Sequence, residues 1–529
     1  MGDRLVRIAV SFALCALLGA VPALAARPAG PPSAAASARR LAQPHAAQVE
    51  DMAQSIDVNN LKMDLTNFGA FAYDIANINA EHGMFFPKGT TRGVVFASGL
   101  WLGATLGGTP HVTVSEYDAE YEPGRAAGGV PESPLPAPLK VYKLLRSYPN
   151  PNQRDGALAD YNAGAAPRGA PVVIVKPDGS LSIPGDEMCW CVFNDLDPLA
   201  HDQPPGGTDP LQVEVQQTTW AFNLPPPLGN TEILQFKIIN RGANPLNDLY
   251  LGIWSDPDVG GNTDDVVGCD TTRSLGYAYN ANHVDAQYLS QQPAVGYDLL
   301  QGPFSAAVGH RLPMTAFFTY VSGADPVNAT QSFCAMHGQD FAGNTVLAPG
   351  GAPTRFMYSG DPVGGTGWVL ATGADRIMLM SSGPFTMAAG SSQTVTLAII
   401  VAQGANRLAS VDLLRTYDDQ AQAEFDAGTL GVLGVPGATG RGLALDRVFP
   451  NPARDDLSLA FSLPGPGDVT VEVVDVAGRR VARRVVQGLG AGPHVLSFTG
   501  VTTGTEPGVY FVRLSHDHES VTKRVALTR

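Results

Sequence analysis

Between residues 50 and 405 no stretch of the chain runs far before Gly, Pro, Asn or Asp interrupts it. That punctuation limits the fold more than any other feature. The segments it leaves, among them "GVVFASGLWLGATLGG", "PVVIVKPDGSLSI", "EMCWCVF", "LQVEVQQTTWAF", "EILQFKIINRG" and "SQTVTLAIIVAQG", are short, apolar and rich in β-branched and aromatic residues. Such runs bounded by turn residues read as strands, and "KPDGS" is a strong hairpin turn. With 59 Gly and 42 Pro the chain carries too many helix breakers for a helical protein, while 44% hydrophobic residues is too apolar for disorder. The expected fold class is predominantly all-β and antiparallel. Residues 49–427 form the body, as two packed sandwiches or one elaborated one. No fixed-period repeat is visible, which argues against a propeller or solenoid. A single helix is expected near 410–427, where Leu414, Tyr417, Ala421 and Phe425 recur every three or four residues, Ser410 can cap and Gly428 stops. A Gly-rich linker follows over 428–443.

The N-terminus has the form of a cleaved export signal over 1–25. Arg4 and Arg7 precede the apolar "IAVSFALCALLGAVPALA", which ends in the cleavage pattern Ala23-Leu24-Ala25. Leu14 stands before Cys15 where a lipoprotein signal requires a small residue, so a lipid anchor is not expected. Residues 26–48 are an Ala/Pro-rich leader, and no later segment is long and apolar enough to span a bilayer. The net charge of -15 argues against nucleic acid or an anionic membrane surface as partner. After signal removal Cys189, Cys191, Cys269 and Cys334 remain, enough for two disulfides in an exported protein. Cys189 and Cys191 flank Trp190 and would strain a direct bridge, so either is expected to pair with Cys269 or Cys334. A four-Cys zinc site is the alternative, though a lone C-x-C is a weak signal for it.

Residues 444–529 have a separate rhythm. "DLSLAFSLPG", "DVTVEVVD", "RRVARRVV", "HVLSFTG", "GVYFVRLS" and "ESVTKRVALT" alternate with short turns, and Leu457, Leu459, Phe461 and Leu463 share one face of the first strand. Six to seven strands at this spacing describe a small Ig-like sandwich. Residues 440–529 hold 11 Lys/Arg against 9 Asp/Glu, which leaves -18 on residues 26–439. A near-neutral module follows a strongly acidic body.

The tail resembles the C-terminal sorting domain of type IX secretion system cargo, and is also similar to the related Ig-like domain of flagellar hook-capping proteins. The residues that carry the resemblance are Asn451-Pro452, Leu463-Pro464, the Asp475-x-x-Gly478-Arg479 turn, Ala491-Gly492 before His494, Gly508-Val509-Tyr510 with Arg513, and the closing strand from Lys523 to Leu527. They span about 85 residues in family order. The resemblance implies a folded domain recognised by outer-membrane export machinery, and a protein that is secreted or held at the cell surface. The body is similar to the uncharacterised β-rich bodies that precede such domains. Physical reasons stand beside the resemblance: Pro452 suits a strand entry, Gly478 can supply the positive φ of a hairpin turn, and the Tyr510 hydroxyl can close a corner.

Chemistry in the body centres on "GIWSDPDVGGNTDDVVGCDTTRSLGYAYNANHVD". Asp256, Asp258, Asp264, Asp265 and Asp270 fall within fifteen positions, with Asn262 among them. Hard cations such as Ca²⁺ take six to eight oxygens from flexible loops, so this loop is the expected Ca²⁺ site. The spacing is not that of an EF-hand, and the plainer reading is that Asp, Asn and Gly mark turns. Asn194, Asp195, Asp197 and Asp202 form a second, weaker candidate. H-E-x-x-H, G-x-S-x-G and Walker patterns are absent, and no motif joins the His and Cys residues into a nucleophilic pair. Trp101, Trp190, Trp220, Trp254 and Trp368 could stack on sugars, but each lies in an apolar run that favours the core. The expectation is a non-enzymatic structural or adhesive body delivered by its tail. The alternative is a secreted hydrolase of polysaccharide or protein, with carboxylates that the fold brings together.

Overall fold

A computed structural model describes residues 52–75, 82–132, 139–201, 204–430, 443–449, 453, 457–463, 467–489, 492–498, 505–517 and 519–528. The expected signal peptide, leader and most of the linker, together with Asn451 and Pro452, lie outside these residues.

Two large antiparallel sheets make up the body. The first has ten strands and runs from Ala316–Val321 through Arg376–Met387, Leu246–Asp256 and Ala97–Leu106 to short strands between residues 53 and 95. The second has nine. It runs from Tyr142–Leu145 through Glu187–Asn194, Val213–Ala221, Thr231–Asn240, Ser392–Ala402, Ala294–Gln301 and Leu275–Asn280 to Asp265–Asp270. The predicted strands are present: "EMCWCVF" lies within Glu187–Asn194, "EILQFKIIN" within Thr231–Asn240 and "SQTVTLAIIVA" as Ser392–Ala402. Central strands such as Val213–Ala221 are buried along their whole length, so their residues pack on both faces and the alternation of a half-exposed strand is lost.

Between the sheets, Phe71 packs against Phe236, and the Tyr297 hydroxyl lies 2.8 Å from both Ser98 Oγ and Ser255 Oγ. Trp101, Trp190, Trp220 and Trp254 are fully buried in the same core, as their apolar surroundings predicted. Trp368 is half-buried against Tyr358.

Among the described residues three α-helices cover outer surfaces: α1 (Pro151–Gly164), α2 (Ala329–Met336) and α3 (Arg407–Ala427). Only α3 was expected. It packs on Leu275–Asn280, Ala294–Gln301 and Ser392–Ala402 through Val411, Leu414 and Ala421, one face of a 3.6-residue period. Its cap corrects the sequence reading. Asn406, not Ser410, accepts from Leu408 N and Ala409 N, while the Ser410 hydroxyl donates to Gln292 O at 2.6 Å. Gly428 ends the helix at φ +68°, as expected.

The tail is built from a three-stranded sheet (Ala444–Phe449, Leu457–Leu463, Gly492–Phe498) and a four-stranded one (Arg480–Leu489, Gly467–Asp475, Gly508–His516, Glu519–Leu527). Leu457, Leu459, Phe461 and Leu463 point into its core with Val469, Val471, Val473, Val512 and Leu514.

The expected disulfides do not form: Cys189, Cys191, Cys269 and Cys334 are free. Five strands separate Glu187–Asn194 from Asp265–Asp270, which at about 4.8 Å per strand puts Cys189 and Cys191 roughly 29 Å from Cys269 across the sheet. Cys334 belongs to α2, which packs on the other sheet. Cys191 Sγ instead donates to Thr66 O, and Cys269 Sγ to Met357 O, both at 3.5 Å. Burial raises the thiol pKa of Cys189, Cys191 and Cys269, which suppresses the reactive thiolate. Iodoacetamide at pH 8 is expected to modify only half-buried Cys334 in the native protein, and all four after denaturation. Peptide mass mapping reads this directly, and a protected cross-linked pair in the denatured sample would refute it.

Candidate functional site

The strand Leu246–Asp256 pairs with Arg376–Met387, with Ser255 opposite Met378. Carrying that register three residues past the ladder sets Asp258 opposite Asp375. The strand ends at Asp256, the Asp258 N–H turns back to donate to Asp256 O at 3.2 Å, and Asp375 immediately precedes the neighbouring strand. One carboxylate oxygen from each of the three lies within 4.8 Å of the others. The second sheet joins the same place, because Asp265 bridges Ala374 at the start of its own strand.

The surroundings are acidic, with Asp375 half-buried. Asp256 and Asp258 are 5% and 8% exposed, and the Oδ1 atoms of Asp256, Asp258 and Asp375 accept no hydrogen bond from the protein. Asp256 Oδ2 accepts from the Tyr117 hydroxyl at 2.5 Å, and that ring stands edge-on to Trp254 at 5.1 Å. Asp375 Oδ2 accepts from Asn262 Nδ2 at 3.3 Å. Burial, then the charges of Asp375 and Asp325, push the Asp256 carboxyl up to about 8. Burial and Asp256 also raise Asp258 well above the carboxylate range, and burial with Asp325 and Asp256 does the same to Glu116. Two unit charges at 4.8 Å repel by about 3–4 kcal/mol at an effective dielectric of about 20. Three ionised carboxylates here would consume much of a net stability of about 5–15 kcal/mol. The site therefore calls for protons or a cation.

The residues singled out in the sequence divide three ways. Asp256 and Asp258 meet, and Asp375, more than a hundred residues further on, completes the group. Asp264 and Asp265 are buried next to it but partly committed: Asp264 Oδ1 accepts from Asn280 Nδ2 at 3.2 Å and Asp265 Oδ1 from Val259 N at 3.2 Å. Asp270 is a correction, since it belongs to a different network. Burial works against its charge, but hydrogen bonds from Thr272 and Arg273 outweigh that and hold its carboxyl below the usual range. Arg273 donates to Asp270 Oδ2 at 2.8 Å and to both oxygens of Asp419 at 2.9 Å. It thereby ties α3 to the sheet.

The weaker candidate around residue 195 has a structural use. Asp195 accepts from Thr113 Oγ1, Leu211 N and Val213 N at 2.6–2.7 Å, and Asn194 donates to Gly124 O. Asp197 accepts from Leu199 N, and Asp202 lies outside the described residues. His201 Nε2 lies 3.0 Å from Asp195 O and its Nδ1 3.7 Å from Glu120, whose own oxygens accept from Gly207 N and Val114 N.

In the tail, Asp475 closes the turn it was expected to make. Its Oδ1 accepts from Ala477 N and Arg479 N, and Gly478 has φ +80°. The Tyr510 hydroxyl donates to Glu506 O at 2.6 Å, the kind of corner bond found in β-sandwiches. Gly508 opens its strand, and Lys523 is exposed on the last one.

Residues 447–528 match the family of secretion system C-terminal sorting domains. The chain thus carries the sorting tail of type IX secretion cargo, which implies export and contact with that machinery. No curated protein matches the chain. Among solved structures, a polysaccharide lyase aligns at 10% identity over 62% of this chain and 36% of its own, with a TM-score of 0.19. A family GH92 inverting mannosidase from Bacteroides thetaiotaomicron aligns at 9% identity over 59% and 27%, TM-score 0.19. The adhesin domain of Epf from Streptococcus pyogenes aligns at 8% identity over 57% and 82%, TM-score 0.14. The chain spans about a third of the first two, and likenesses this slight carry no argument.

Under α3, Asp298 and Asp418 are buried, and neither oxygen of Asp298 nor Asp418 Oδ1 accepts a hydrogen bond from the protein. Burial, then the neighbouring Asp418, raises Asp298 well out of the carboxylate range, and burial raises Asp418 to about 7. Carboxyls raised in the folded state stabilise it fully below the unfolded value near 4 and lose that contribution as pH rises through the folded value. Asp298→Asn keeps a donor and removes the titration. Its stability relative to wild type should therefore grow by about 1–3 kcal/mol between pH 5 and pH 8. Urea melts at the two pH values decide the point, and an equal difference at both would show that no proton is held there.

Proposed function

We propose that this is an exported protein whose body serves outside the cell as a non-enzymatic structural or adhesive module, delivered by residues 444–529. The observation that carries the reading is the sorting tail at 447–528. On this reading residues 1–25 direct passage across the inner membrane, the tail folds as an Ig-like unit that engages the outer-membrane machinery, and residues 49–427 are the working part.

The commitments of the body's polar side chains support a structural role. Groups that would attract a catalytic reading hold loops together: Asp195 gathers three donors, Glu120 two backbone N–H groups, and His201 sits against the Asp195 carbonyl. Arg273 and Arg415 fasten α3 to Asp270 and Asp361. The buried tryptophans fill the core and offer no sugar-stacking face. These arrangements add rigidity, which suits a protein that must persist outside the cell.

Removal of residues 444–529 should leave the body in the periplasm, while the full chain reaches the medium or the cell surface. Intact-mass spectrometry of separated medium, outer-membrane and periplasmic fractions distinguishes the cases. Equal export of the truncated and full chains would refute delivery by the tail.

A further inference from the structure

We infer that Asp256, Asp258 and Asp375 together bind one Ca²⁺ ion, which ties two neighbouring strands of the first sheet together at the end where the edge of the second sheet meets them. The site differs from the contiguous 256–270 loop suggested by the sequence: it omits Asp270 and recruits Asp375, distant in sequence, from the start of the neighbouring strand.

Geometry comes first. Two oxygens bound to one Ca²⁺ at about 2.4 Å stand no more than about 4.8 Å apart, and one oxygen from each of the three carboxylates meets that limit. Unused bonding capacity comes second. Asp256 is more than nine-tenths buried, its Oδ1 has no partner, and the same holds for Asp258. Buried polar atoms in native proteins are almost always satisfied, so these oxygens point to a ligand. An all-oxygen donor set selects a hard cation over zinc or copper. Three carboxylates at a strand end and in the segments flanking strands suit the flexible six- to eight-fold shell of Ca²⁺ better than the tight octahedron of Mg²⁺.

The position gives the ion a consequence. Asp256 and Asp258 leave the first sheet, Asp375 enters it, and Asp265, bridged to Ala374, begins the edge strand of the second. An ion here joins chain segments more than a hundred residues apart. The body would tighten where Ca²⁺ is abundant and loosen where it is scarce.

The test uses the full chain freed of metal by chelation, with Ca²⁺ and Tb³⁺ as probes. Wild type should melt at a higher temperature in 1 mM Ca²⁺ than in chelator or in 1 mM Mg²⁺. Tb³⁺ luminescence excited through nearby Tyr117 and Trp254 should rise on binding and be displaced by Ca²⁺. Asp375→Asn should weaken Ca²⁺ binding by about tenfold or more. The same variant should gain little or nothing in melting temperature when Ca²⁺ replaces chelator, whereas wild type gains. A gap between the two proteins that opens only in Ca²⁺ separates an ion site from a residue needed only for folding, whose loss would lower melting equally in both conditions. Wild-type melting unaltered by Ca²⁺, or the same gap in both conditions, overturns the proposal. The outcome is independent of whether the tail directs export.

Discussion

Everything in the body depends on burying both faces of long antiparallel strands at once. The sheets are broad, with ten and nine strands, and their central members have no exposed side. Sheets packed face to face exclude water between them, so every polar group that enters the interface must find its partner there. Tyr297 does so by reaching across to Ser98 and Ser255. Asp195 does so by collecting backbone donors from the loop that follows it. The core thus dictates the polar chemistry around it, and carboxyls at or next to strand ends, Asp195, Asp256 and Asp265 among them, are drawn into it.

The three-aspartate group is the place where that demand is left unmet. Each aspartate terminates or precedes a strand, a position where Asp is ordinarily a solvated turn residue. The second sheet meets them through Asp265, leaving Asp256 and Asp258 buried and Asp375 half-buried. Replacing the group by apolar residues would be easier on stability, so a cluster of this kind is informative about what completes it. The contrast with Asp270 is instructive. That carboxylate also ends a strand and is also partly buried, yet Arg273 answers its charge within hydrogen-bond distance. One aspartate was given a guanidinium, while three others were placed around a common point.

Legibility in the sequence followed the range of the interaction. Strands, turns and the last helix of the body rest on local signals, and residues such as Leu414, Gly428, Gly478 and Leu459 stand where those signals put them. The two unexpected helices were also written locally. Asn150 caps α1 with Pro151 in its first turn, and Asn328 caps α2. Both signals are known helix starts, but α1 has little apolar periodicity to advertise it and α2 is only eight residues long. Cap position was misjudged for α3 because Asn406 lies a turn before the apolar face begins. Non-local facts were out of reach. Cys191 and Cys269 both looked available for a bridge, and only the strand order shows how far apart they are. Asp375 sits in "TGADRIMLM" with nothing around it to suggest Asp256 as a neighbour.

The charge difference between the parts of the chain bears on how body and tail can coexist. Residues 26–439 carry -18 and residues 440–529 carry +2. A high net charge of one sign keeps a protein soluble but repels itself in the compact state. The body limits that repulsion locally, by pairing Arg273 with Asp419 and Arg415 with Asp361, and burial that raises Asp298 and Asp418 favours their neutral forms. The tail has no such burden: its core is Leu, Val and Phe, and its turns are held by pairs such as Asp475 with Arg479. A tail whose stability owes little to charge can fold the same way whatever acidic body precedes it. That is the physical requirement on a module read as an address, and the body's acidity is then free to follow its own task.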